Sequence, residues 1–179
     1  DVQLNINYVI ILNTNAGLWG YNIGDTIKFV SIDPYRIVVT GRIKHFTSAF
    51  GEHVIAEEVE KSLQLSLDKF PEEINEVHVA PQVNPKNGLP YHEWFVEFEN
   101  KVKETSNLSE EIDKNLQNLN TYYKDLIEGN VLTNLKITVL KKDSFRNYMK
   151  SIGKLGGQNK VPRLSNDRKI ADELTKYKI

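Results

Sequence analysis

Three short segments concentrate residue types that handle nucleotides or anions. Gly17 to Asp25 (GLWGYNIGD) packs three glycines, the aromatic rings of Trp19 and Tyr21, and one carboxylate into a stretch between two apolar runs. An aspartate directly after glycine, at the mouth of a strand, can accept two hydrogen bonds from a vicinal diol such as ribose. A tight Gly-Asp hairpin turn would be spelled the same way. Gly41-Arg42-Ile43-Lys44-His45-Phe46 sets a glycine beside the cations Arg42 and Lys44 where the composition changes. That suits a hinge holding an anion, and equally a plain linker. Leu155 to Arg163 (LGGQNKVPR) is a Gly-Gly loop presenting Lys160 and Arg163. Such a loop can meet phosphate or carboxylate oxygens, or remain a solvated basic loop.

Other chemistries are excluded or disfavoured. With no cysteine there is no disulfide scaffold, thiolate zinc site or cysteine nucleophile. His45, His53, His78 and His92 include no pair three or four apart, and no HExxH pattern occurs. No metal site is therefore expected, and the histidines read as solvated or hydrogen-bonded structural groups. His92 and Glu93 are neighbours on a strand and point to opposite faces, which argues against an acid-base pair. Neither a GxSxG elbow nor a P-loop is present. The acidic run Glu57, Glu58 and Glu60 reads as the wet face of a helix.

The elements that must position these segments follow from periodicity. Tyr8 to Leu12 is a continuous apolar run, as in a strand buried on both faces. Thr26 to Ile32 and Arg36 to Thr40 are further strands around an Asp33-Pro34 turn. After Gly41 the pattern changes. Ile55, Val59, Leu63, Leu67 and Phe70 recur at helical spacing, and Pro71 ends that helix near Lys69. Ile74 to Val79 is a strand, Pro81 to Pro90 a loop. In the next strand Trp94, Val96 and Phe98 alternate with Glu93, Glu97 and Glu99, so one face should be wet. Leu108, Ile112, Leu116, Leu119, Tyr123 and Leu126 form one long helical stripe, with capping-box spacing at Asn107 and Glu110 and an ending at Gly129. A strand through Leu135, Ile137 and Val139 follows, then a helix from Ser144 to Ile152 and a last helix from about Asp167. The expected fold class is α+β: a small domain with a mixed sheet covered by helices, preceded by short strands from the end of a larger domain.

The 179 residues carry 23 Lys plus Arg against 24 Asp plus Glu, a formal charge of -1. That argues against nucleic acid as a partner, and no apolar run approaches the roughly 20 residues that would cross a bilayer. A cytoplasmic location is expected, with neither membrane nor nucleic acid as partner. The chain starts at Asp1 and its one methionine is Met149, so it reads as a piece of something longer.

In order, Gly24-Asp25, Gly41-Arg42-Ile43-Lys44, Gly51-Glu52-His53-Val54 with Glu58-Val59-Glu60-Lys61-Ser62-Leu63, and Lys160-Val161-Pro162-Arg163 resemble the C-terminal motifs of the adenylate-forming enzymes. Within that superfamily, Ala16-Gly17-Leu18-Trp19 through Ile23-Gly24-Asp25 is similar to the AGLYRYRVGD signature of the auxin-responsive acyl acid–amido synthetases. Gln158-Asn159-Lys160-Val161-Pro162-Arg163 is similar to that family's SQYKxPR terminus. Phe46 to Glu52 and Tyr91-His92-Glu93-Trp94 resemble the bacterial branch. The pattern departs at Gly20, where arginine is common.

The resemblance implies a C-terminal fragment of a ligase that uses ATP and magnesium. It would activate a carboxylic acid as an acyl adenylate and pass the acyl group to an amine, usually an amino acid. It implies Lys160 as the catalytic cation, and Asp25, Tyr21, Arg42, Lys44 and Arg163 as nucleotide-side residues. It divides the chain into the edge of a large domain (1–40), a hinge (41–49) and a mobile lid (50–179), with the protein's own N-terminal domain as partner. The fragment alone is expected to be inactive. Coenzyme A as acceptor, or a non-catalytic α+β interaction module, are the competing expectations.

Overall fold

The computed structural model describes residues 2–42, 46–156 and 159–179. Strands β1 (Asn7–Leu12), β2 (Tyr21–Ile32) and β3 (Tyr35–Arg42) form an antiparallel sheet in that order. β1 is not buried on both faces. Its residues alternate in exposure, and Val9 and Ile11 stay about half exposed (47% and 50%). Two-sided burial needs a layer on each side, whereas the following helix α1 (Ala56–Leu67) meets this sheet at β3.

A two-rung hairpin, β4 (Phe46–Thr47) with β5 (Val54–Ile55), leads into α1. The remainder is built on β6 (Ile74–Gln82), β7 (Tyr91–Phe98) and β8 (Lys136–Leu140), in that order. β6 and β7 pair antiparallel and β7 and β8 parallel, so the sheet is mixed as expected. A parallel pair requires a crossover, and α2 (Ser106–Leu119) with α3 (Thr121–Glu128) supplies it. After β8 come α4 (Ser144–Ser151), α5 (Lys169–Leu174) and a 3-10 turn, Thr175–Tyr177.

Helices cover this sheet on both sides. On one side Trp94, Val96 and Phe98 pack with Val59 of α1 and with Leu108, Ile112 and Leu116 of α2. On the other, Phe95 packs with Phe145 and Met149 of α4 and Leu174 of α5. The strand expected to be half wet is therefore buried on both faces. Its carboxylates survive burial because they are paired. Glu93 accepts from Arg168 Nη2 at 2.8 Å and Thr138 Oγ1 at 2.6 Å, and Glu97 accepts the Asp143 and Phe145 N–H groups at the start of α4.

The long stripe from Leu108 to Leu126 is broken at Asn120, whose extended backbone separates α2 from α3. Asn120 Oδ1 accepts the Tyr123 N–H at 2.8 Å and caps the second helix. The expected capping box at Asn107 and Glu110 does not form: Thr105 is the N-cap, without a side-chain bond. β6 also runs on through Pro81 to Gln82, two residues into the expected loop. Among the described residues no helix is long and apolar enough to cross a membrane.

Candidate functional site

Two of the nucleotide-side candidates, Asp25 and Arg42, are register partners at one end of the first sheet. Gly24-Asp25 is not a hairpin turn. It lies inside β2, where the register against β1 slips between Val9 and Ile11. A bulge of this kind re-aims the side chains beside it. Gly24 has φ of 84°, a conformation that favours glycine, and its N–H donates to Asn22 Oδ1 at 2.8 Å. Gly20 has φ of 60° and its N–H donates to Asn13 Oδ1 at 2.7 Å. A left-handed position explains glycine where the signature carries arginine.

Register on the other side of β2 sets Asp25 directly opposite Arg42, and Thr26 opposite Gly41. Asp25 is half-buried, while Tyr21, at the start of β2, is half exposed (50%). Next to this end, Val39, Thr40 and Gly41 of β3 face Ala56, Glu57, Glu60, Lys61 and Gln64 of α1 across a cleft of about 400 Å³. Lys28 Nζ bridges the two parts, donating to Glu57 Oε1 at 2.6 Å. Lys44, at the expected hinge, lies outside the described residues.

The acidic face of α1 is solvent-accessible, as expected, and also engaged in ion pairs and hydrogen bonds. Glu57 holds Lys28, and Glu60 meets Arg163. Glu58 accepts the Ile55 N–H and Asn120 Nδ2, both at 3.0 Å. Burial raises the Glu58 carboxyl above its ordinary range, with the Asn120 and Ile55 bonds opposing.

Lys160 and Arg163 share a loop but face different surroundings. Lys160 is exposed and lines a separate cavity of about 250 Å³, with Glu76, Glu97, Phe145, Arg146 and Lys154 among its walls. Arg163 is held by two carboxylates: Nη1 to Glu76 Oε2 at 3.1 Å and Nε to Glu60 Oε1 at 3.4 Å. The loop's exit is stitched to β6. Val79 N–H donates to Arg163 O at 2.8 Å, and Ser165 N–H to Val79 O at 2.9 Å. The structure thus sets the backbones of Asp25 and Arg42 opposite each other, ties Arg163 to α1 and β6, and leaves Lys160 outside the cleft beside β3.

Two of the histidines, His78 and His92, are buried and hydrogen-bonded, as structural histidines should be, to partners distant in sequence. His92 Nε2 lies 2.9 Å from Glu52 Oε1, both side chains fully buried. Burial pushes the Glu52 carboxyl up, but the His92 hydrogen bond and charge together with backbone N–H bonds outweigh it and leave it below its ordinary value. Glu52 also accepts the Phe50 N–H at 2.9 Å, so the pair fastens the β4–β5 hairpin to β7. His78 Nδ1 lies 2.8 Å from the Pro162 carbonyl. Gly-Glu spacing and a strand histidine are weak signals, and only proximity joins them.

The model of the GH3 family C-terminal domain matches residues 57–169, and that of the GH3 family central domain matches residues 1–42. The chain belongs to the GH3 family. Its fold matches a solved "GH3.15 acyl acid amido synthetase" at TM-score 0.77 and 18% identity, over 100% of this chain and 34% of that one. A second solved chain, "AtGH3.15 acyl acid amido synthetase in complex with 2,4-DB", matches at TM-score 0.73 and 17% identity, over 99% of this chain and 34% of that one. The chain therefore spans about a third of the length of these neighbours. No curated protein matches it in sequence.

Proposed function

We propose that the chain is the C-terminal part of an acyl acid–amido ligase of the bacterial GH3 branch, acting in the cytoplasm. The supporting observation is the register that sets Asp25 opposite Arg42, beside the cleft between β3 and α1, in a chain of this family. In the first step a substrate carboxylate attacks the α-phosphate of ATP, forming an acyl–phosphate bond and releasing pyrophosphate. In the second an amine, an amino acid in this reading, attacks the acyl carbon, forming an amide and releasing AMP. Asp25 accepts from the ribose hydroxyls, Tyr21 borders the nucleotide, and Arg42 and Lys44 meet ribose or phosphate oxygens.

Lys160 supplies positive charge where the phosphorane gains negative charge. A cation positioned there stabilises the transition state more than the ground state. Since Lys160 stands apart from the cleft, the reading requires the lid to rotate and carry it in. The Glu52–His92 pair argues that the rotating body begins at Phe46 rather than at residue 50. Arg163, already shared by Glu60 and Glu76, acts as the loop's anchor more than as a phosphate contact. Among the described residues no cluster of three or more His, Asp or Glu could hold a metal. Magnesium accompanying ATP would be held by the nucleotide's phosphates, and no step is assigned to it.

The half-exposed apolar residues of β1, with Trp19 and Tyr35, favour a larger domain packed against the first sheet. The phosphate loop and acyl pocket belong to that domain, so the 179 residues alone should be inert. The test is ATP–pyrophosphate exchange by the complete ligase against a panel of aromatic and aliphatic carboxylic acids. Lys160→Ala should lower the exchange rate about ten- to a thousandfold. Unchanged exchange would refute the reading.

A further inference from the structure

His78 is a fully buried group that the proposed chemistry does not use. It sits on β6 opposite Phe95 of β7, its ring tilted against the phenyl ring at 6.5 Å. A carbonyl can only accept, so the Nδ1 that lies 2.8 Å from Pro162 O must carry the proton. Burial depresses the imidazole's pKa to about 4, which leaves the ring neutral at pH 7 with Nε2 as an acceptor. That Nε2 is buried and has no hydrogen-bond partner among the described residues. Leaving a buried polar atom unsatisfied is destabilising, and an aliphatic residue would fill the strand position without that cost. What the imidazole adds, among the described residues, is its hydrogen bond to Pro162.

Pro162 stands two residues beyond Lys160. The proline ring holds its own φ, and the residue before a proline is confined to extended backbone, so Val161-Pro162 is a stiff link. Its flanks are seated in different cores: Val161 packs in the cluster of α4 and α5, and Leu164 is fully buried in the cluster of α1 and α2. Lys160 itself is exposed and makes no described hydrogen bond or ion pair. The link that follows it, stitched to β6 at Arg163 and Ser165, therefore helps to set the position of its backbone.

We infer that His78 is a positioning residue for Lys160, holding the Pro162 carbonyl so that the ammonium reaches the reacting phosphate at a fixed place. The inference rests on the adenylation chemistry proposed for Lys160. Displacing a catalytic group by an ångström can cost about a hundredfold in rate, so a missing anchor should be visible in kinetics.

The test compares His78→Leu, His78→Asn and His78→Gln in the complete ligase, with the acid that supports the fastest exchange. Asparagine places an amide N–H near the position of Nδ1. Glutamine extends past it toward the position of Nε2. His78→Leu should lower kcat for ATP–pyrophosphate exchange about ten- to a hundredfold, with KM for ATP little changed. Amide formation from pre-formed acyl adenylate should continue at the wild-type rate. His78→Asn should recover most of the exchange, and His78→Gln should not. The inference is overturned if His78→Leu exchanges at the wild-type rate, or if both half-reactions fall together. It is also overturned if asparagine and glutamine are equally active, a comparison that serves even if the leucine variant does not fold. Lys160→Ala run in parallel separates the two readings. Exchange that survives it sinks the adenylation chemistry and the inference with it. Exchange lost in Lys160→Ala but intact in His78→Leu sinks the inference alone.

Discussion

Buried His78 and Glu52 and half-buried Glu58 each hold a loop or cap in place. His78 also makes stability depend on pH. Its folded pKa of about 4 lies below the ordinary 6.5, so the unfolded chain binds a proton first as pH falls. The stabilisation is fully present above about pH 6.5 and is lost progressively down to about pH 4. Glu52, also lowered in the folded state, adds to the loss below its ordinary 4.5. Asp167 favours protonation of His78 and Arg168 opposes it, both smaller than the effect of burial. Denaturant melts at pH 7 and pH 5 should differ by about 2 kcal/mol, with the His78→Asn chain losing most of that difference. Equal stability at the two pH values would contradict a neutral buried ring.

Among the elements, α2 and α3 show how one side chain overrides a periodic pattern. The apolar stripe runs unbroken from Leu108 to Leu126, yet Asn120 turns the backbone extended, caps α3 and reaches Glu58 of α1. Asn120→Ala removes the cap and leaves the half-buried Glu58 carboxylate one donor short. The expected loss is about 2 kcal/mol, read as a lower urea midpoint. A loss under about 0.5 kcal/mol would mean the cap is not made in solution. Strand β7 illustrates the same limit. Its alternating Glu residues read as a wet face, but the helices on both sides of the sheet bury it, and Arg168, Thr138 and the start of α4 supply the partners. Helix α1 was legible in the sequence, since its periodicity and Pro71 are both local signals.

The molecule as a whole is divided unevenly. Residues from Phe46 onward enclose two hydrophobic cores around a mixed sheet, whereas β1 to β3 form a sheet with apolar side chains exposed. Stability should be divided likewise, because local opening is cheapest where few apolar contacts are lost. In hydrogen exchange of the 179-residue chain the slowest amides should lie on β6, β7 and β8, with β1 exchanging at least about tenfold faster. Equal protection in β1 and β7 would contradict that division. The order of motifs, the α+β class and most element positions could be read from the sequence, because glycine, proline and hydrophobic periodicity act over a few residues. The placement of the candidate site could be read only in part. Gly24-Asp25 stood out by composition, but its place in a bulge opposite Arg42 depends on how three strands align. His92 finds Glu52 across 40 residues, His78 finds Pro162 across 84, and Arg163 finds Glu60 across 103. Nothing local encodes those distances, because a hydrogen bond needs its two atoms within about 3 Å and only the packed chain brings them there.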